Sequence, residues 1–231
     1  MLETKGLTSF YGDFQALFGI DVRVDKNEVV SLIGSNGAGK TTTMRTITGL
    51  IDCDTTMVLW NGQAIGHLRA DQIAKLGIAM VPEGRQLFPS LSVEENLKIG
   101  AQNKRAGFWT LKRVYDLFPV LGERRRQGAT TLSGGQQQMV AIGRALMSNP
   151  EIILFDEISL GLAPIIINQI YDALPDIIDN GLSALIVEQD ISRALSIAKR
   201  CYCLSEGKIT LTGSTDSISR DDVSQAYFGK I

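Results

Sequence analysis

The sequence predicts an α/β fold with a mainly parallel sheet, and three observations lead to it. Short aliphatic segments bounded by turns alternate with helical patterns along most of the chain. A glycine-rich loop joins one of these segments to a helix, and a later interval, 92–146, is helical in character. The 231 residues are 44% hydrophobic and 21% charged and contain no internal repeat or proline-rich linker, which favours a single domain.

The candidate core strands are short and dominated by aliphatic residues, as expected for parallel strands covered on both faces. They are residues 29–33, 78–81, 152–155 and 184–187. Apolar and polar residues alternate instead in 2–7 and 20–24. These early segments therefore predict a flanking antiparallel sheet.

Helical patterns dominate between Ser92 and Leu146. Ser92 and Glu95 have the spacing of a capping box at the start of one helix. Apolar residues then fall on one helical face before Pro119, and again before Pro150. These residues are Leu111, Val114, Tyr115 and Phe118, followed by Met139, Ile142 and Leu146. The interval is interpreted as a helical insertion within the α/β core.

The glycine loop, residues 34–41, follows the first core strand and fits the pattern Gly-x4-Gly-Lys-Ser/Thr. It consists of Gly34, Ser35, Asn36, Gly37, Ala38, Gly39, Lys40 and Thr41. Glycines let backbone N–H groups face clustered phosphate charge, and the helix predicted at 41–47 adds its unpaired N-terminal amides. Lys40 is expected to reach the β- and γ-phosphates and Thr41 to bind Mg²⁺, with Thr42 beside them. The loop therefore predicts a bound nucleoside triphosphate.

The serine turn, residues 132–136, stands directly before a helix predicted at 137–147 and reads Leu132-Ser133-Gly134-Gly135-Gln136. A serine and two glycines at a helix start are typical of an anion-binding site. A small domain rarely needs two phosphate sites, so this one is expected to serve the nucleotide of another subunit. A flexible Ser-Gly linker is the alternative for the motif taken alone.

Two carboxylates, Asp156 and Glu157, end the third candidate strand. Asp156 is expected to hold hydrated Mg²⁺, and Glu157 to orient or deprotonate an attacking water molecule. Taken alone, such an acidic pair is usually a helix cap or a solvated turn.

Composition argues against several classes of partner. The formal net charge of -2 and the isoelectric point near 5.5 give no reason to expect binding to nucleic acid or anionic membranes. The basic run 124–126 is interpreted as a solvated helix end. No apolar segment approaches the roughly 20 residues that span a bilayer, and no export signal begins the chain, so the expected location is the cytoplasm.

The cysteines and the single histidine do not predict a metal site. Cys53, Cys201 and Cys203 form neither an even disulfide framework nor a Cys-x2-Cys pair. Cys201 and Cys203 alternate along an apolar segment and are expected to pack in the core. His67 has no ligand cluster beside it and is interpreted as an ordinary loop residue.

The glycine loop, the serine turn and segment 152–157 occur in the order and spacing typical of ATP-binding cassette (ABC) ATPases, which the chain resembles over essentially its whole length. The resemblance implies a P-loop NTPase (RecA-like) core with a flanking antiparallel β-subdomain and a helical insertion. Residues 1–231 would then form one domain. Within it, 1–85 and 150–231 form the nucleotide-binding core, and 86–149 form the helical subdomain that carries the serine turn.

The resemblance also implies how ATP and Mg²⁺ are held. In a head-to-tail dimer, Ser133, Gly134, Gly135 and Gln136 of one subunit close over the ATP held by Lys40 of the other. Tyr11 matches the aromatic position that stacks on adenine in the family. A partly buried strand tyrosine is the alternative for that residue.

Two departures from the general ABC pattern narrow the resemblance. Glu83 replaces a usual glutamine as a Mg²⁺ ligand, and Gln189 replaces a usual histidine at a catalytic position. With segment 159–164, they resemble the LivF-type ATP-binding subunits of branched-chain amino-acid importers. Glu83 offers an anionic oxygen to the metal, whereas Gln189 can donate to the γ-phosphate but cannot become cationic near neutral pH.

The resemblance implies an ATPase that energises an amino-acid importer. Its partners would be membrane permease subunits, a second ABC ATPase of LivG type or a second copy of the chain and, indirectly, an external solute-binding protein, but no nucleic acid. The chain would lie on the inner face of the cell membrane, with residues 87–89 and the helical insertion contacting the permease. The alternatives are a urea or short-chain amide importer, a soluble ABC ATPase acting on protein or nucleic-acid assemblies, and a non-catalytic nucleotide-sensing module.

Overall fold

Twelve strands lie within residues 1–228, the part of the chain that this computed structural model describes. In chain order they are β1 (Leu2–Thr4), β2 (Leu7–Tyr11), β3 (Phe14–Ile20), β4 (Arg23–Val24), β5 (Val29–Ile33), β6 (Val58–Trp60), β7 (Gln63–Ala64), β8 (Ile78–Val81), β9 (Ile152–Asp156), β10 (Ser183–Glu188), β11 (Arg200–Ser205) and β12 (Lys208–Ser214).

Ten α-helices accompany these strands in the same residues. They are α1 (Lys40–Ile47), α2 (Ala70–Lys75), α3 (Val93–Gly100), α4 (Leu111–Leu117), α5 (Pro119–Glu123), α6 (Gly134–Leu146), α7 (Pro164–Asp172), α8 (Leu174–Ile178), α9 (Ile191–Ile197) and α10 (Arg220–Phe228). Helices α3 to α6 fall between β8 and β9, inside the interval 86–149. The division of the chain into subdomains at these boundaries stays a prediction.

The central sheet has six strands in the order β12-β11-β5-β10-β9-β8. All neighbours run parallel except the edge strand β12, which pairs antiparallel with β11. The carboxyl ends of β5, β8, β9 and β10 therefore meet at one edge, where parallel sheets usually bind their ligands. That edge carries the glycine loop, Glu83, Asp156 and Gln189. The predicted α/β fold with a mainly parallel sheet is confirmed.

Burial on both faces explains the unbroken aliphatic runs of the core strands. All five residues of β9 are buried. Ile153 and Phe155 pack with the helices of the insertion, whereas Ile152 and Leu154 pack in a second cluster on the opposite face, with residues of α1. The four predicted core strands are confirmed, with β9 one residue longer and β10 one residue longer at each end.

The predicted antiparallel flank is present, but it forms two sheets and its segments are divided differently. Strands β4-β1-β6-β7 form one antiparallel sheet, and β2 and β3 form a separate hairpin. Segment 2–7 is not one strand because Gly6, with φ 54°, turns the chain, and its N–H donates to the Asp21 carboxylate at 2.6 Å. Segment 20–24 is likewise divided between the end of β3 and β4.

Helix α6 begins at Gly134, three residues before the predicted start at 137, so that prediction was wrong. Ser133 Oγ accepts from the Gln136 amide at 3.4 Å, and the Gln136 side chain accepts from the Ser133 amide at 3.2 Å. This reciprocal cap stabilises a first turn that contains two glycines. The serine turn is therefore the capped start of a 13-residue helix rather than a loop before it.

Several smaller predictions are confirmed. Cys201 and Cys203 are fully buried in β11, and His67 lies in a turn before α2. The arginines at 124–126 are exposed directly after α5 ends. Within residues 1–228, none of the helices combines the length and the apolar character needed to cross a bilayer.

Candidate functional site

The glycine loop connects β5 to α1 and lies closely against neighbouring strands. A Cβ on Gly34 would overlap the carbonyl oxygen of Leu204 in β11. Gly39 has φ 106°, and a Cβ there would lie 2.7 Å from the Leu17 side chain in β3. Glycine is therefore required at both positions for the loop to pack on the sheet while its central residues stay open.

A cleft of about 300 Å³ lies above this loop. It joins the glycine loop to residues that follow β8 and β9. Its lining residues are Asn36, Gly37, Gly39, Lys40, Thr41, Thr42, Glu83, Glu157 and Leu160. The structure thus brings most of the predicted phosphate, metal and catalytic residues to one place.

Lys40 is held at the inner wall of this cleft and is only 4% exposed. Its Nζ donates to the carbonyl oxygens of Gly34 at 2.7 Å and Ser35 at 3.0 Å, and it lies 3.1 Å from Glu157 Oε1. A buried ammonium group is tolerated here because each of its donors has an acceptor. A phosphate oxygen that enters the cleft can replace one of these acceptors.

Asp156 ends β9 with a buried carboxylate whose two oxygens differ. Oδ1 accepts a hydrogen bond from Thr41 Oγ1 at 3.0 Å, while Oδ2 is buried with no hydrogen-bond partner among the described residues. Burial raises the pKa of Asp156 to about 6, opposed by the Thr41 hydroxyl and reinforced by Glu157 and Glu83. An unpaired carboxylate oxygen beside a threonine hydroxyl and a second acid fits a hard divalent cation.

Glu157 is fixed by its backbone and by two donors. Its φ of 49° is in the left-handed region, which turns the carboxylate out of the β9 line and toward the cleft. Lys40 lies against one carboxylate oxygen, and Gln189 Nε2 donates to the other at 2.7 Å. The contact between Gln189 and Glu157 joins the ends of β9 and β10.

Sequence reasoning missed Glu188, the last residue of β10. It is 2% exposed and accepts hydrogen bonds from Ser159 Oγ at 2.9 Å and from the Tyr171 hydroxyl. Burial raises the pKa of Glu188, and these hydrogen bonds oppose the rise. A carboxylate that ends an otherwise aliphatic core strand was the available signal, because such a group needs partners.

Tyr11 ends β2 beside the same cleft. It is 46% exposed, and its hydroxyl lies 3.3 Å from Thr42 Oγ1 at the start of α1. The ring is therefore tethered near the glycine loop while keeping surface free for stacking.

The serine turn does not join the cleft within one chain. None of Ser133, Gly134, Gly135 and Gln136 is among the described residues that line it. Gly134 lies beside the Arg85 guanidinium, and a Cβ on Gly135 would overlap the Ile166 side chain of α7. The turn is packed against the core by these close approaches and stays part of a separate surface.

Comparison with known proteins supports the same assignment along the whole chain. Residues 17–159 match the family described as ABC transporter. The chain is 43% identical over 239 residues to the high-affinity branched-chain amino acid transport ATP-binding protein BraG of Pseudomonas aeruginosa, covering 99% of this chain and 100% of the relative. It is 34% identical over 221 residues to the protein of Archaeoglobus fulgidus named "Probable branched-chain amino acid transport ATP-binding protein LivF", covering 94% of each.

Solved structures agree with the sequence relatives. The fold is similar to the ADP conformation of MJ1267, an ATP-binding cassette of an ABC transporter, with TM-score 0.83 and 27% identity over 100% of this chain and 99% of that one. It is also similar to the ATP-binding cassette MJ0796 in a dimeric post-hydrolysis state bound to ADP and Pi. That match has TM-score 0.83 and 26% identity over 94% of this chain and 100% of the other. The chain therefore belongs to the ABC transporter family, as one of its ATP-hydrolysing subunits.

Proposed function

We propose that this chain hydrolyses ATP to drive the uptake of branched-chain amino acids through separate membrane permease subunits. The two relatives described above are branched-chain amino acid transport ATP-binding proteins and match almost the full chain. Glu83, Gln189 and segment 159–164 support the same subfamily. The choice of solute rests on these relatives, because the chemistry of the cleft concerns the nucleotide.

The observation that carries the proposal is the placement of the Glu157 carboxylate. It is held by Lys40 and Gln189 beside the glycine loop. A carboxylate fixed in this way can orient a water molecule toward the γ-phosphate and accept its proton. ATP binding would draw Lys40 toward the β- and γ-phosphates, so that one oxygen of Glu157 becomes free to act on water.

Charge stabilisation would supply most of the remaining acceleration. Backbone amides of residues 37–40, the Lys40 ammonium group and the N-terminal end of α1 would face the phosphates. Bound Mg²⁺ would neutralise phosphate charge, held by Thr41, Asp156 and Glu83. Tyr11 would stack on the adenine ring.

The serine turn is proposed to complete the site of a second subunit. It is separate from the cleft of its own chain, and a capped helix start with free surface suits the phosphates of a partner's ATP. Dimeric states are known for the similar cassette MJ0796. The partner would be a LivG-type subunit or a second copy of this chain.

The permease contact is proposed at a groove of about 310 Å³ between the core and the helical insertion. Leu50, 61% exposed, lies on one wall, and Arg144 lies on the other. Arg144 donates to the carbonyl oxygens of Gln86 at 2.7 Å and Arg85 at 3.0 Å, and its guanidinium lies 5.5 Å from the Phe88 ring. A permease segment in this groove would therefore contact Arg144, which is hydrogen-bonded to the residues that closely follow Glu83. The assembly would place the chain on the inner face of the membrane, with an external solute-binding protein acting through the permease.

The Glu157→Gln variant tests the catalytic part of the proposal. Gln keeps the size of the side chain but cannot accept a proton, so we expect ATP binding to persist while turnover falls by roughly 10²- to 10⁴-fold. Nucleotide titration and phosphate release measure the two properties separately. Near-normal turnover would move the base to another residue.

The identity of the transported solute needs a separate experiment. We expect the chain to co-purify from membranes with permease subunits. In reconstituted vesicles supplied with the external solute-binding protein, these subunits should take up leucine, isoleucine or valine when ATP is supplied to the cytoplasmic side. Uptake of urea or short-chain amides instead would replace the solute while leaving the ATPase assignment intact.

A further inference from the structure

Glu188 is a buried carboxylate that has no cation within ion-pair distance among residues 1–228. It is 2% exposed, and both of its oxygens are satisfied by neutral hydroxyl groups. Ser159 Oγ donates to one oxygen at 2.9 Å, and the Tyr171 hydroxyl donates to the other. A buried acid without a cation is costly, so a purely structural role would be served as well by an apolar side chain.

The two donors come from the segment that follows Glu157. Ser159 lies in the loop between β9 and α7, and Tyr171 lies on α7 itself. Within the loop, the Leu160 amide donates to the Glu157 carbonyl at 3.1 Å, and the Leu162 amide donates to the Ser159 carbonyl at 3.3 Å. Glu188 therefore anchors the middle of this loop and the helix that the loop enters.

The residue after Glu188 holds the other side of the same loop. Gln189 Nε2 donates to Glu157 Oε2 at 2.7 Å. Glu157 itself has φ 49°, a conformation that costs energy for a residue with a side chain and persists only where its surroundings enforce it. Glu188, the last residue of β10, and Gln189, which directly follows it, thus contact both the loop after Glu157 and the Glu157 carboxylate.

Tyr171 is fixed in turn by contacts from a third element. The guanidinium of Arg193, on α9, lies 5.7 Å from the centre of the Tyr171 ring. Tyr171 therefore contacts α9 through its ring and the end of β10 through its hydroxyl, which donates to Glu188.

We propose that Glu188 is a positioning residue for hydrolysis: through Ser159, and oriented by Tyr171, it holds the loop of residues 157–163 so that the Glu157 carboxylate faces the attacking water. This inference rests on the proposed catalytic role of Glu157. It makes efficient hydrolysis depend on a residue that does not line the cleft.

The test uses two pairs of variants of the full chain. Ser159→Ala removes the donor to Glu188, whereas Ser159→Thr keeps a hydroxyl at the same place. Tyr171→Phe removes the second donor, and Tyr202→Phe is its control because Tyr202 is also buried and its hydroxyl accepts from the Arg23 amide at 3.2 Å in another part of the fold. Turnover and ATP affinity are measured for each variant.

We expect Ser159→Ala and Tyr171→Phe to lower kcat about 10-fold, the effect of losing one hydrogen bond to a charged group, while ATP affinity stays within about two-fold. Ser159→Thr and Tyr202→Phe should keep wild-type kcat. Glu188→Gln should lower kcat similarly, and combining it with Ser159→Ala should add little further loss, because both act through one contact.

Three results would overturn the inference. They are a kcat within about two-fold of wild type in Ser159→Ala or Tyr171→Phe, losses that multiply in the double variant, or a parallel loss of ATP affinity that marks a general disturbance of the cleft. Measuring Glu157→Gln in the same experiment distinguishes failure of the positioning role of Glu188 from failure of the catalytic role of Glu157. If Glu157→Gln lowers turnover by roughly 100-fold or more and the loop variants keep kcat within about two-fold of wild type, only the positioning role fails. If Glu157→Gln turns over normally, the proposed base fails and the positioning role fails with it.

Discussion

Asp156 is the residue at which the needs of function and of stability oppose each other. Its carboxylate is 1% exposed, and Oδ2 has no partner in the described chain. Burial, with the nearby acids Glu157 and Glu83, raises its pKa to about 6. The ionised form is therefore costly in the folded protein, and a bound cation would remove that cost.

We expect Asp156→Asn to raise the free energy of unfolding in EDTA by about 1–3 kcal/mol near pH 8. The folded-state pKa of about 6 lies above the ordinary 3.8, so the wild type loses stability as pH rises between these values. Asn does not titrate, so the gain should vanish at about pH 4.

Urea unfolding at both pH values measures the difference. Asp116→Asn, at an exposed acid on α4, is the matched control and should change stability by less than about 0.5 kcal/mol. An Asp156→Asn variant no more stable than wild type at the higher pH would contradict the cost assigned to the buried charge.

The sequence predicted the functional residues that are contiguous in a motif. It missed Glu188, whose hydrogen-bond partners are distant in the sequence. The glycine loop, Asp156 and Glu157 follow strand ends directly, so their meeting at one sheet edge could be inferred. The contacts of Glu188 span 29 residues to Ser159 and 17 to Tyr171. No local pattern encodes such a contact, because it depends on how α7 packs beside β10.

The capped starts of α3 and α6 permit a comparison of two helices that share a reciprocal serine cap, although Ser92 Oγ also donates to Glu95 Oε2 at 2.6 Å. Ser92 Oγ accepts from the Glu95 amide at 3.3 Å, as Ser133 Oγ does from the Gln136 amide at 3.4 Å. In both helices the side chain three residues later accepts a hydrogen bond from the serine amide, at 2.8 Å in α3 and 3.2 Å in α6.

We expect Ser133→Ala and Ser92→Ala each to lower the free energy of unfolding by about 1 kcal/mol, because each loses one cap. Only Ser133→Ala should also lower turnover, by about 100-fold, because only this serine is proposed to contact a partner's phosphates. Thermal unfolding and phosphate release measure the two effects. Equal losses of turnover in both variants would reduce the serine turn to a structural cap.

The elements themselves were predicted best where burial alone decides. The four core strands are aliphatic because both faces of the central sheet are buried, so their positions could be predicted from the sequence. The start of α6 was misplaced because Gly134 and Gly135 suggest a turn, whereas the bonds between Ser133 and Gln136 stabilise a helix. Segment 2–7 was misread because one glycine with positive φ divides it between two sheets.

The proposed head-to-tail dimer predicts complementation between two inactive variants. In a mixed dimer of Lys40→Ala and Ser133→Ala, one site loses both groups, while the other combines an intact Lys40 with an intact Ser133. If the chain pairs with itself, equal mixing should restore about a quarter of wild-type turnover, since half the dimers are mixed and each has one complete site.

Phosphate release from the mixed proteins measures this recovery. The control mixes the double variant Lys40→Ala/Ser133→Ala with Lys40→Ala, where every site of every dimer lacks Lys40 and no recovery is expected. Absence of recovery in the first mixture, with dimers present, would show that this chain does not pair with itself in the proposed way.

The surface beside the groove predicts how hydrolysis is coupled to transport. Phe88 is 44% exposed and packs near Arg144. Phe88→Glu should keep ATP turnover within about three-fold of wild type but lower solute uptake in reconstituted vesicles at least about ten-fold, since a charge would disturb an apolar contact with the permease.

Phe108→Glu is the control: Phe108 is 40% exposed, and its ring lies 4.4 Å from the Arg113 guanidinium, away from the groove. Unchanged uptake with Phe88→Glu would move the contact elsewhere.

The burial of two cysteines has a practical consequence for measuring closure of the cleft by fluorescence. Cys201 and Cys203 are shielded inside the sheet, and burial raises the pKa of the Cys203 thiol to about 12, so neither offers a reactive thiolate near neutral pH. Cys53 is partly accessible and would be the one native thiol to replace. A single dye attached through a new cysteine at Leu160, which is 49% exposed at the rim of the cleft, would then report closure without background labelling.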